Sequence, residues 1–186
     1  MTNALHPVLW LEDLVSIATE AGRRILDVYE RQFDVSRKDD GSPLTDADRA
    51  AHEVIVERLA ALTPAIPVLS EESAKIDYNE RAGWQRFWLV DPLDGTKEFV
   101  NRNGEFTVNI ALIDNGAPML GVVYVPVTGM CYLAVRGQGA WKEQGGCNRM
   151  PIRVRSYHGG HATVVASRSH RGDAVDKFLA NLKARE

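Results

Sequence analysis

A chain of 186 residues, 45% hydrophobic and 25% charged, is long enough for one sizeable core and the start of a second, with the composition of an ordinary soluble globular protein. Its formal charge of −3 offers no basic field to a nucleic acid polymer, so a small anionic substrate needs local compensation from a metal or a few basic groups. Cys131 and Cys147 form no C-x-x-C pair, no apolar run reaches membrane-spanning length, and residues 1–7 show no signal-peptide pattern; these exclude a disulfide scaffold and a transmembrane segment and lead to a cytoplasmic expectation.

Residues 9–30 are predicted to form an amphipathic helix, because Leu11, Leu14, Val15, Ala18, Ala21, Ile25 and Val28 recur at three- and four-residue spacing. Residues 36–43 are a polar loop punctuated by Gly41 and Pro43. A second helix is expected from Thr45, where Thr45-Asp46-Ala47-Asp48 resembles a capping box. Its stripe is Ala47, Ala51, Val54, Ile55, Leu59 and Leu62, and Pro64 and Pro67 end it. A short strand over 66–69 stops at Ser70-Glu71-Glu72-Ser73, and residues 74–86 read as a polar connection. A strand over 87–90 feeds an Asp-rich turn, with a short helix beyond it at 97–101. Strands follow over 106–113, 119–125 and 130–135, the first two joined by the hairpin signal Asp114-Asn115-Gly116. Gly137-Gln138-Gly139 and Gly145-Gly146 mark turns. Residues 163–166 are a further strand candidate, and 173–184 a helix with Ala174, Val175, Phe178, Leu179 and Leu182 on one side. Two helices followed by hairpin-linked strands indicate an α+β layered domain rather than a run of βαβ units.

The strongest chemical signal is Trp88-Leu89-Val90-Asp91-Pro92-Leu93-Asp94-Gly95-Thr96. An apolar strand delivers two carboxylates, a glycine and a hydroxyl onto one tight segment. Asp91 and Asp94, with Glu71 from the end of the preceding strand, are candidate metal ligands, and the Leu93 carbonyl adds a further oxygen. Taken alone, Ser-Glu-Glu-Ser reads as solvated loop acids and Asp94 as a turn residue of Asp-Gly; Asp-Pro-Leu-Asp-Gly-Thr after four apolar residues favours metal binding. Gly95 and Thr96 offer backbone N–H groups to a phosphate, or simply cap a helix. Asp48 and Thr96 are the candidate base relay, a hydroxyl held by a carboxylate that directs an attacking water; for Asp48 a capping role fits the local sequence equally well. Lys38 and Asp40 sit in the loop that precedes it. Ser167, Arg168 and His170 could hold a second phosphate, or open a helix. His6, His52, His158 and His161 show no ligand spacing.

Taken together, Lys38-x-Asp40-x-Ser42-Pro43-x-Thr45-x-x-Asp48, Ser70-Glu71-Glu72 and Asp91-Pro92-Leu93-Asp94-Gly95-Thr96 resemble the inositol monophosphatase superfamily. Within it, Asp-Gly-Thr-Lys-Glu-Phe at 94–99 and Asn103-Gly104-Glu105-Phe106-Thr107-Val108-Asn109 are similar to the CysQ-type 3′(2′),5′-bisphosphate nucleotidase branch. The resemblance implies a Mg²⁺-dependent phosphatase, binding two or more ions and sensitive to lithium. It would remove the 3′-phosphate of adenosine 3′,5′-bisphosphate, a by-product of sulfate activation, giving AMP and phosphate. It matches Glu71, Asp91, Asp94 and the Leu93 carbonyl to metal ligands, and Asp48 and Thr96 to water activation. Glu71, Gly95, Thr96, Ser167 and His170 match substrate contacts. The implied partner is a small nucleotide bisphosphate, and peripheral association with the cytoplasmic face of the inner membrane is compatible with it. The implied fold is an αβαβα sandwich in two lobes, the first complete over 1–157 and the second only opened over 158–186. The family's further metal-binding aspartate lies in a Trp-Asp motif, a dipeptide absent from this sequence. The neighbouring readings are an inositol-phosphate or sugar-bisphosphate phosphatase, or a catalytically incomplete metal- or nucleotide-binding fragment.

Overall fold

A computed structural model describes residues 7–30, 35–37, 43–73, 75–156, 158, 164–165 and 172–183. A 3-10 turn, Pro7–Trp10, runs into helix α1, Leu11–Tyr29, whose buried face is Leu11, Leu14, Ile17, Ala18, Ala21, Gly22 and Ile25. Two short antiparallel strands, β1 (Val35–Arg37) and β2 (Pro43–Thr45), flank the predicted loop. Helix α2, Asp46–Leu62, begins where the capping box places it and buries Ala47, Asp48, Ala51, Ile55 and Leu59.

Beyond α2 the chain builds one seven-stranded sheet in chain order: β3 (Val68–Ser70), β4 (Arg86–Asp94), β5 (Thr107–Asp114), β6 (Ala117–Val125), β7 (Met130–Val135), β8 (Gly139–Gln144) and β9 (Cys147–Ile152). β3 and β4 are parallel; every later pair is antiparallel. The Asn115-Gly116 hairpin is present, both residues adopting the positive φ that a type I′ turn demands. α1 and α2 pack on each other and on one face of the sheet, α1 over β5 and β6 and α2 over β3 and β4. Between them lies the core of Trp88, Val90, Val108, Ile110, Leu112, Leu120, Val122, Cys131 and Leu133. Trp88 is anchored at its polar end, its Nε1 donating to Thr63 Oγ1 at 2.8 Å. This is the α+β layered architecture that the element order implied.

Several predicted elements differ. The polar connection over 74–86 contains a one-turn helix α3, Tyr78–Arg81, capped by the Asp77 carboxylate accepting from the Asn79 N–H at 2.8 Å. The sequence shows β8 and β9 only through the turns around them, because Lys142, Glu143, Asn148 and Arg149 break any apolar pattern. Their polarity is paired instead. The Arg149 guanidinium donates to the buried Glu143 at 2.7 Å and to Glu12 of α1 at 2.6 and 3.0 Å, tying the last hairpin to the first helix. β4 does not stop before the Asp-rich segment but runs through it.

The chain forms two compact units, Met1–Ile152 and Arg153–Glu186. The second unit carries helix α5, Asp173–Lys183, as predicted. Of the strand expected over 163–166, residues 163 and 166 lie outside the described residues and Val164–Val165 belong to no strand.

Candidate active site

The Asp-Pro-Leu-Asp segment is a β-bulge inside a strand. Asp91 pairs with Asn109 and Asp94 with Thr107, so three steps along β4 match two along β5. Strand residues three apart point to opposite faces; the extra residue cancels that reversal. Asp91 and Asp94 therefore share the face away from α1 and α2, while Pro92 and Leu93 are buried. Pro92, which cannot donate to a ladder, sits at the bulge, where its missing N–H does least harm.

Glu71 reaches the same neighbourhood through the parallel pair. Ser70 lies beside Val90, and the Glu71 N–H extends the ladder by donating to the Val90 carbonyl at 3.0 Å. Glu71 and Asp91 are thus consecutive to paired residues on strands about 4.8 Å apart. Both line a cavity of about 700 Å³ on the open face, together with Leu89, Asn109, Ala111, Val123 and Tyr132. Asp94 stands one bulge further on and accepts a hydrogen bond from Asn109 Nδ2 at 3.2 Å. The structure thus brings Glu71 and Asp91 to one cavity and Asp94 to the same face. Among the described residues no three His, Cys, Asp or Glu side chains are gathered as a ready metal site.

Gly95 is required by the turn out of β4. Its φ is 97°, and a Cβ there would lie 2.9 Å from the Glu105 carbonyl oxygen. Its own carbonyl receives the Phe99 N–H at 2.9 Å, opening helix α4, Thr96–Val100. The Thr96 hydroxyl donates to the Leu93 carbonyl at 3.4 Å, linking two predicted site groups to each other. Asp48 is 2% exposed in the first turn of α2. β2 contacts both α2 and α4, so the helix starts that carry Asp48 and Thr96 share a neighbour. Lys38, Asp40, Ser167, Arg168 and His170 lie outside the described residues.

Two polar contacts have no counterpart in the sequence reading. His52, one turn beyond Asp48 on α2, has its Nδ1 2.9 Å from Ser70 Oγ, joining that helix to the residue before Glu71. Burial holds the His52 imidazole below the usual histidine pKa, with the Glu53 charge opposing. Asn109 is the second. Each contact joins residues distant in sequence, and neither pattern has a local signature.

The two cavity carboxylates, Glu71 and Asp91, with room for water beside them, are of the oxygen-donor type that a hard divalent cation takes. No helix among the described residues is long and apolar enough to cross a membrane.

The model of the inositol monophosphatase family matches residues 9–185. The 3′(2′),5′-bisphosphate nucleotidase CysQ of Salmonella typhimurium is 52% identical over 174 residues, covering 92% of this chain and 69% of the relative. That of Escherichia coli K12 is 51% identical over the same shares. Among solved structures, CysQ from Bacteroides thetaiotaomicron superposes with a TM-score of 0.78 at 42% identity, covering 96% of this chain and 71% of the other. The suhB protein of Bartonella henselae superposes with a TM-score of 0.65 at 33% identity, covering 76% and 54%. The chain belongs to the inositol monophosphatase family.

Proposed function

We propose that this chain is a phosphatase that hydrolyses the 3′-phosphate of adenosine 3′,5′-bisphosphate to AMP and phosphate, in the cytoplasm, clearing a by-product of sulfate activation. The observation that carries the reading is the bulge that puts Asp91 and Asp94 on one sheet face with Glu71 beside them. The substrate follows from the relatives at about half identity, which are named for bisphosphate nucleotides.

Glu71, Asp91 and Asp94, with the Leu93 carbonyl, are the residues that would hold Mg²⁺. When bound, the metal supplies Lewis-acid stabilisation of phosphoryl charge and lowers the pKa of a ligated water. Thr96 would orient the attacking water, whose proton passes by way of the threonine hydroxyl to the Asp48 carboxylate as the oxygen approaches phosphorus. The amides following Gly95 face the phosphoryl oxygens and favour the charge that builds there. The 3′ P–O bond breaks in line with the new one, and the departing 3′-oxygen takes a proton from solvent water. The family resemblance matches Ser167 and His170 to substrate contacts.

Phosphate release by the protein with Mg²⁺, compared between adenosine 3′,5′-bisphosphate and inositol 1-phosphate, tests the substrate. The nucleotide is expected to be the faster; equal or faster release from inositol phosphate contradicts the reading. Asp91→Asn should reduce release by at least about 100-fold, since losing a metal carboxylate removes several kcal/mol of transition-state stabilisation.

A further inference from the structure

Thr107 and Asn109 of β5 stand opposite the two carboxylates of the bulge, Thr107 across from Asp94 and Asn109 across from Asp91. They are linked. The Thr107 hydroxyl donates to Asn109 Oδ1 at 3.1 Å, and Asn109 Nδ2 donates to Asp94 Oδ2 at 3.2 Å. A carboxylate only accepts, so it selects the NH₂ end of the amide; the hydroxyl, which can donate, takes the carbonyl end. The amide orientation is thereby determined at both ends. Asn109 also lines the cavity that holds Glu71 and Asp91.

We infer that Asn109, oriented by Thr107, is a positioning residue that holds Asp94 beside Asp91 and so sets the divalent-cation affinity of the site. The inference rests on the metal reading given above. Asp94 is solvent-exposed at the end of its strand, where an unrestrained carboxylate samples several rotamers. A cation that needs both aspartates must freeze that motion, and the Asn109 bond supplies the restraint beforehand. A neutral donor suits the task better than a basic one. Lys or Arg at position 109 would neutralise the charge the cation requires, whereas an amide orients one oxygen and leaves the remaining lone pairs available.

The test is Mn²⁺ binding by the purified chain, followed by electron paramagnetic resonance, with thermal unfolding measured in parallel. Asn109→Ala should weaken Mn²⁺ binding by about 10–100-fold. Thr107→Val, which removes the hydroxyl at nearly constant shape, should weaken it in the same direction, and Thr107→Ser should restore near wild-type affinity. A purely structural role for the pair would lower thermal stability and leave Mn²⁺ affinity unchanged in the folded variants, and would overturn the inference. Should Asn109→Ala fail to fold, the Thr107 pair decides: equal affinity in Thr107→Val and Thr107→Ser overturns it. A wild-type chain that binds no Mn²⁺ overturns the metal reading together with this inference, while wild-type binding undiminished in the variants overturns this inference alone.

Discussion

On the helix-covered face of the seven-stranded sheet, Trp88, Val108, Ile110, Leu112, Val122 and Leu133 are 0–2% exposed; on the opposite face Leu89, Val123 and Tyr132 remain 45%, 40% and 41% exposed. The second face also carries Asp91, Asp94 and Asn109. Both faces come from the same strands, sorted by a side-chain period of two. The covered face is apolar from Trp88 across to Leu133 because α1 and α2 leave no water there to solvate a polar group; the buried Glu143 opposite Cys131 is instead paired with Arg149. The open face mixes apolar floor with carboxylates and an amide. The bulge is where the alternation of β4 is broken, and it is broken so that a second acid joins the open face. A regular strand would turn Asp94 toward the helices and bury its charge at severe cost.

Neighbouring substitutions should separate the two faces most sharply. Trp88→Ala empties a large volume between α2 and the sheet and strips Thr63 of its indole partner; chemical denaturation should show a loss of about 3–5 kcal/mol. Leu89→Ala, one residue along on the open face, should cost about 0.5 kcal/mol or less. Comparable losses at the two positions would break the contrast. A smaller effect is expected at the helix–sheet contact. A Cβ at Gly22 of α1 would fall 2.4 Å from the Tyr124 ring of β6, so Gly22→Ala should lower stability by about 1–3 kcal/mol despite its better helix propensity. A gain in melting temperature would show that α1 does not press on β6 there.

The smallest effect is a pH slope. His52 is depressed below 6.5 by burial, so between its folded and unfolded pKa the unfolded chain binds more protons than the folded one. Its contribution to stability is therefore present above about pH 6.5 and lost as pH falls through the lower folded value. Unfolding free energy should drop on acidification, and His52→Gln should flatten that slope in denaturation curves between pH 7 and 5. An unchanged slope in the variant would place the acid sensitivity elsewhere.

The covered face is the more legible of the two in the sequence. β7 can be read to the residue, because Cys131, Leu133 and Val135 alternate with exposed positions and turns bound the run. α1 and α2 are visible in their apolar stripes for the same reason. β8 and β9 are not, since a buried Glu143 paired with Arg149 looks like surface until the partner is known. At the site, the identities of Glu71, Asp91, Asp94, Gly95 and Thr96 stand out as a motif, and Pro92 inside an apolar run hints at irregular backbone. That the segment is a bulge depends on its register with β5, about fifteen residues on, which local sequence does not encode. His52 with Ser70 and Asn109 with Asp94 are likewise long-range pairs, created by the packing of α2 and the pairing of β5.

The proposed function requires Glu71 and Asp91, with Asp94 on the same sheet face, to hold a divalent cation. Crystals of the protein soaked in Mn²⁺ and measured for anomalous scattering test it directly. An anomalous peak is expected within coordinating distance of the Glu71 and Asp91 carboxylates. Strong peaks only at other surface acids, or none on the open sheet face, would contradict it.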